Sequence, residues 1–140
     1  MRHLLILILL YSLSSLHAQN ETWRDDYRQV MDFEEGLAAV WHHNGKWGFV
    51  NKKGKVIIPE DFYNNVETDY LNRGTIRVFR NDKVGLYNLE GKQLLPMIFD
   101  SIEPFVYEND NETEVVFEGK SFHIDKTGKC VRDCQNAPKY

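Results

Sequence analysis

Beyond Leu10 the 140-residue chain has no long apolar run, and it holds only two cysteines, Cys130 and Cys134. The one apolar run, Leu4 to Leu10, is too short for a spanning helix, which needs about 20 mostly apolar residues. Two cysteines without a second CxxC-like pair do not supply the four ligands of a structural zinc site. The sequence lacks a Gly-x-Ser-x-Gly elbow, a phosphate loop and a Cys-His arrangement, so no catalytic residue, metal or cofactor is expected. It also lacks a basic excess: 17 Lys and Arg face 21 Asp and Glu, for a net charge of -4. An acidic surface repels phosphate backbones, which excludes nucleic acid as the expected partner. Nor is there a basic amphipathic segment to hold an anionic membrane.

What is present points to β structure. Aromatic residues make up 13% of the chain and fall on strand-like runs, where they suit a pleated, half-buried surface. The first eighteen residues stand apart. Arg2 and His3 precede the apolar run, and Leu16-His17-Ala18 resembles a small-residue cleavage site. That pattern is a secretory signal peptide, so the expectation is an exported protein, periplasmic or extracellular, with no transmembrane segment after cleavage. Losing residues 1–18 removes one Arg and no acid, leaving 16 − 21 = −5. In an oxidising compartment Cys130 and Cys134 form a disulfide more often than they stay as thiols. Residues four apart on an extended strand are about 13 Å apart, so Val131-Arg132-Asp133 would have to turn; two free thiols are the alternative.

The chain repeats itself at a fixed interval. Lys46, Lys83 and Lys120 are 37 residues apart, as are Gly54, Gly91 and Gly128, and Asn51, Asn88 and Asp125. Pro59 and Pro96 keep the interval, and Gly48 is matched by Gly85. Each frame opens on a strand-like run ending in Val plus an aromatic: Val40-Trp41, Val78-Phe79 and Val116-Phe117. The link to the next Lys shortens from frame to frame at turn-type residues, as a hairpin tip permits. Asn44-Gly45 suggests a type I′ turn, whose two central residues need φ > 0.

The following turn, Asn-x-x-Gly-Lys, is constant in length. Its Asn or Asp can bond the backbone two residues on, and its Gly supplies the left-handed residue that closes a three-residue hairpin. A third short strand follows, Val56 to Ile58 or Gln93 to Leu95, which Pro59 or Pro96 would end by denying the ladder a donor. The fold expected is therefore all-β, a short stack of tandem three-stranded antiparallel meanders. Between units runs an echo at 36-residue spacing: Tyr27 to Val30, Tyr63 to Val66 and Phe99 to Ile102. It suggests that the leading segment is the tail of an incomplete repeat acting as a cap; a helix over Trp23 to Phe33 is the alternative, with Trp23, Tyr27 and Val30 on one face.

These residues resemble the WG-repeat family of bacterial proteins, whose Trp-Gly is matched by Trp47-Gly48. The resemblance extends over Tyr27 to Asp133, with Val84-Gly85 keeping only the Gly and Ser121-Phe122 keeping neither. It implies β-rich modules with no shared activity. The organisation expected is a signal peptide (1–18), a cap or partial repeat (19–35), repeats at 36–73, 74–112 and 113–133, the last degenerate, and a tail (134–140).

Candidate sites are few. An exposed apolar patch including Trp41, Phe79 or Phe117, on a strand face or the hairpin tips, is the candidate binding surface, with His42 and His43 at a hairpin shoulder; packing is the competing role for Trp41 and for Trp47. His42 and His43 point to opposite faces if on a strand and do not share a metal easily. His123 replaces Phe49 and Leu86 in its frame, which suggests a core or half-core histidine. The acidic stretch Glu108, Asp110, Glu112 and Glu114 reads as a solvated loop, lacking the ligand loop of an EF-hand. Asn20 and Asn111 head glycosylation sequons. The leading expectation is a non-catalytic module binding a protein of the cell envelope. A glycan-binding module using exposed aromatics, and a small hydrolase using His123 and nearby acids, are the alternatives.

Overall fold

The computed structural model describes residues 22–63, 65–68 and 71–139; the expected signal peptide and the Asn20 sequon lie outside them. Among these residues twelve strands, all antiparallel to their neighbours, form three four-stranded sheets. The first sheet holds β1 (Gln29–Val30), β2 (Leu37–Trp41), β3 (Trp47–Asn51) and β4 (Val56–Tyr63) in that order. The second holds β5 (Asn65–Val66), β6 (Thr75–Arg80), β7 (Lys83–Asn88) and β8 (Gln93–Phe99). The third holds β9 (Ser101–Ile102), β10 (Thr113–Phe117), β11 (Lys120–Ile124) and β12 (Cys130–Arg132).

Each meander thus gains a fourth strand, and the 36-residue echo is its signature. Val30, Val66 and Ile102 are the second residues of β1, β5 and β9. The leading segment therefore pairs as the first strand of the first sheet; among the described residues a five-residue 3-10 helix, Thr22–Asp26, precedes it. A two-residue strand is too short for side-chain alternation to show in the sequence.

The constant turn is built the same way three times. The amides of Gly54, Gly91 and Gly128 donate to the carbonyls of Asn51, Asn88 and Asp125 at 2.9, 3.1 and 3.0 Å. Asn51 Oδ1 accepts from the amides of Lys53 and Lys55, Asn88 Oδ1 from Lys92, and Asp125 Oδ1 from Thr127 and Lys129. All three glycines have positive φ, +75°, +83° and +82°. Their second role is invisible in the turn itself: each faces the preceding element of the stack. A Cβ on Gly91 would drive into the carbonyl oxygen of Ile57, and one on Gly128 would stand 3.0 Å from Leu94 O. Ile57 and Leu94 are themselves 37 residues apart, on β4 and β8. At Gly54 the Trp23 ring takes this place.

The third strand does not stop at proline. β4 runs through Pro59 and β8 through Pro96, because both are edge strands that bulge there. Across β3 and β4 the pairing moves from Phe49–Ile58 to Trp47–Tyr63, and across β7 and β8 from Leu86–Leu95 to Val84–Phe99. A proline inside a bulge on an edge strand leaves no ladder acceptor unfilled.

Alternation along the strands sorts side chains between units. Leu37, Ala39, Phe49 and Ile58 meet Leu71, Ile76 and Val78 to form the core between the first and second sheets. Val84, Leu86, Leu95 and Phe99 meet Ile102, Val115, Phe122 and Ile124 between the second and third. The two ends are closed differently. Ala38, Val40 and Val50, on the outward face of the first sheet, are covered by Trp23, Tyr27, Val30 and Phe33. In the third sheet the outward positions of β11 are Ser121 and His123, where the preceding units place Trp47 and Phe49 or Val84 and Leu86. A polar outer face is what a terminal repeat requires, which accounts for the degeneracy of this unit; His123 is half-buried there.

Cys130 and Cys134 are bridged, with Cα atoms 5.8 Å apart. Asp133, at φ 57°, makes the turn and leads into the 3-10 helix Cys134–Asn136, whose Asn136 Nδ2 donates to Ser121 O at 2.8 Å. Closing so short a loop contributes at most about 2 kcal/mol in the chain-entropy model. Urea unfolding with and without a reducing agent should differ by no more than that; a complete loss of folding on reduction would show that the bridge supports the core.

Asp125 carries a charge where the first two turns carry Asn. The Thr127 hydroxyl, followed by the Thr127 and Lys129 amides, holds its carboxyl below the ordinary Asp value. A carboxyl lowered in the folded state stabilises fully above its unfolded pKa, and this contribution disappears as pH falls through the folded value. Asp125→Asn keeps the acceptor, so at pH 7 it should cost less than about 1 kcal/mol. The gap to the parent protein should close below about pH 3.9; a gap that stays constant in acid would contradict this assignment.

Candidate binding face

The aromatic residues singled out by the sequence are largely engaged. Trp41 lies opposite Trp47 on adjacent strands, and the two rings stack at 5.8 Å and 7°. The Arg28 guanidinium stands 4.3 Å from the Trp41 ring centre. Trp41 thus packs against a ring and a cation. Phe79 and Phe117 are half-buried against the core between the second and third sheets. Trp41, Phe79 and Phe117 are each half-buried, and none of them is among the exposed large hydrophobic residues. His42 makes an edge contact with Tyr27 at 6.0 Å, while His43 beside it is exposed.

Phe79 and Phe117 are also not equivalent. Phe79 pairs with Val84, whereas Phe117 pairs with Lys120, the place held by Arg80 in the second unit. The residue matching Phe79 is Val116, which pairs with Ser121. Both hairpins have two-residue tips with positive φ, Asn81-Asp82 and Glu118-Gly119. The first tip is different: His42 and Lys46 are joined by a hydrogen bond across three residues, and only Gly45 has positive φ, so Asn44-Gly45 is not a type I′ pair. Asn44 Oδ1 instead accepts from the Lys46 amide at 2.8 Å.

The apolar surface lies elsewhere. Among the described residues the exposed large hydrophobic ones are Met31, Val56, Val106, Tyr107 and Val131. Met31, Val106 and Tyr107 sit on the loops that join the first and second strands of a sheet. These loops, 31–36, 67–74 and 103–112, lengthen from six to eight to ten residues along the stack. They hold three, two and four acidic residues, nine of the chain's 21, against a single base, Arg73, of its 17. Per-repeat insertions in a stack map to loops on one side, which is often the binding side.

The loops touch in succession. Residues 31–34 of the first and Thr68 and Leu71 of the second line a cleft of about 320 Å³ with Ala39. Arg73 of the second donates from Nε to Val106 O of the third at 2.9 Å and pairs with Glu108 at 3.8 Å. The third loop is braced throughout. Phe105, 1% exposed, anchors it in the interior. The Thr113 hydroxyl donates to Glu103 O at 2.8 Å, Lys126 Nζ to Glu108 O at 3.1 Å and the Tyr107 amide to Asp110 Oδ2 at 2.9 Å. Tyr107, 68% exposed, projects from this frame. The acidic stretch is thus a loop from Glu108 to Glu112, whereas Glu114 stands on β10, opposite His123, and is not part of the loop.

Inside the stack, Arg77 ties the units together. It pairs with Glu67 and donates from Nη1 to Ile102 O at 2.6 Å, so one side chain joins the second loop to β9. At the junction of the same sheets Asp100 accepts from Lys83 Nζ and the Gly119 amide. Lys83, first, and the Gly119 amide, second, hold its carboxyl below the usual Asp value. Long-range ties of this sort leave no local pattern in the sequence. Among the described residues no three His, Cys, Asp or Glu side chains converge as a metal site would need, and no helix is long and apolar enough to cross a membrane.

The family model described as WG containing repeat matches residues 47–66 and 85–109. Neither a curated protein nor a solved structure matches the chain.

Proposed function

Because the chain is a WG-repeat protein, we propose that it is an exported, non-catalytic module of the bacterial cell envelope that binds another protein through its three strand-joining loops. One observation carries this reading: the third loop is fixed by a buried anchor and a set of hydrogen bonds, and yet holds Val106 and Tyr107 out to solvent. A preorganised surface with an exposed aromatic loses little entropy on binding. The repeats supply rigidity; the loops vary in length and sequence. Export is supported by the n-region, apolar run and cleavage pattern of residues 1–18, and by a cysteine pair suited to an oxidising compartment.

A photo-crosslinking residue placed at Tyr107 should yield discrete protein adducts on intact cells, whereas one at Asn81, on a hairpin tip, should not. Adducts at Asn81 alone, or at neither position, would overturn the loop-face reading. Mass spectrometry of the mature chain should find Gln19 as its first residue; a chain retaining residues 1–18 inside the cell would remove the case for export.

A further inference from the structure

We propose that the cleft between the first and second loops takes a basic, extended segment of the protein partner, with alternating cationic and apolar side chains. This rests on the loop face being the binding side and names the chemistry that it selects. The cleft's floor is apolar: Ala39 and Leu71 are 1% and 2% exposed, and Met31 lies at its edge with 37% of its surface open. Its rim carries Asp32 and Glu34, both exposed and neither with a cationic partner among the described residues.

A Lys or Arg side chain matches that combination. Its methylene stem covers apolar surface while the charged head reaches a carboxylate. A purely apolar segment would leave the rim unpaired, and an acidic one would be repelled by the excess of acids on these loops. An extended strand presents side chains alternately to its two faces, so every second residue can enter the cleft. About 300 Å³ is the lower end of the range for well-formed ligand clefts, which suits a few side chains and excludes a folded domain edge. The unbalanced charge also steers a cationic partner during encounter.

The test uses the full mature chain and a labelled peptide of alternating lysine and leucine, with two control peptides, one of lysine alone and one of norleucine and leucine. The alternating peptide should bind best, more weakly as salt is raised, and should shift the NMR signals of Met31, Thr68 and Leu71. The pair Asp32→Asn and Glu34→Gln should weaken it about tenfold, from the loss of two surface ion pairs, without changing the unfolding midpoint. Asp82→Asn with Glu118→Gln, on the hairpin tips, should leave binding as it was. Equal affinity for lysine alone, shifts spread over every acidic surface, or binding unaffected by the Asp32 and Glu34 changes would overturn the proposal. If Tyr107 still crosslinks a protein in cells while the cleft fails these tests, only this inference falls; if neither responds, the loop-face reading falls with it.

Discussion

Gly91→Ala should destabilise the protein far more than Gly119→Ala, although both glycines lie in the left-handed region at φ +83° and +74°. At Gly119 a methyl group would meet nothing within 4 Å, so the substitution carries only the left-handed strain, about 1–2 kcal/mol. At Gly91 the same strain applies, and the new carbon would also collide with Ile57 O and stand 3.1 Å from Ile57 Cγ2. A backbone oxygen cannot turn aside as a flexible side chain can, so the second sheet must move away from the first. Overpacking of this kind costs about 1–3 kcal/mol more. The expected difference between the two variants in urea unfolding is therefore about 1–3 kcal/mol. Equal destabilisation would mean that Gly91 is needed for its turn alone and that the units do not stack through it.

Trp23→Ala should be the most damaging single change in the leading segment, at about 3 kcal/mol. The ring occupies the seat over Gly54, meets Tyr27 and Phe33 edge-on at 6.3 Å each, and helps to cover Ala38, Val40 and Val50, all 0–1% exposed. Its loss would open an apolar sheet face that the stack otherwise closes. Hydrogen exchange should then accelerate first in β2 and β3, and the variant should self-associate with rising concentration, since an uncovered sheet face is sticky. Exchange that accelerates first in β10 and β11 would show that the weak end of the stack is the other one. The polar outward face at Ser121 and His123 needs no such cover, and this asymmetry underlies the prediction.

The parts of the fold that were legible in the sequence are those set by local chemistry. Asn51, Asn88 and Asp125 with their glycines announce a turn because each requirement, an acceptor two residues back and a positive φ, falls on one residue. The 37-residue interval follows, because stacked units must return the chain to the same place. Register was harder to read. Matching Val116-Phe117 to Val78-Phe79 by residue type missed the true pairing by one position, and one position turns a side chain to the opposite face of its sheet. Pairing is counted back from a two-residue tip, and Glu118-Gly119 does not look like Asn81-Asp82. The prolines misled for a related reason: a bulge on an edge strand accepts a residue that a regular ladder refuses. The candidate face was the least visible part. Trp41 drew attention as an aromatic near a tip, but whether its ring is free depends on Arg28 and Trp47, which meet it only in the folded sheet. The bracing of Val106 and Glu108 by Arg73 and Lys126 joins residues far apart in the chain, where no spacing rule applies.

The most direct test of the stacking account is proton NMR of three glycines in the mature chain. If each turn seats on the element before it, the α protons of Gly91 and Gly128 will show cross-relaxation to Ile57 and Leu94, and those of Gly54 will be displaced by the ring current of Trp23. Glycine α protons at unstructured positions in the spectrum, without those contacts, would mean that the three bends recur in the sequence but do not hold the sheets together.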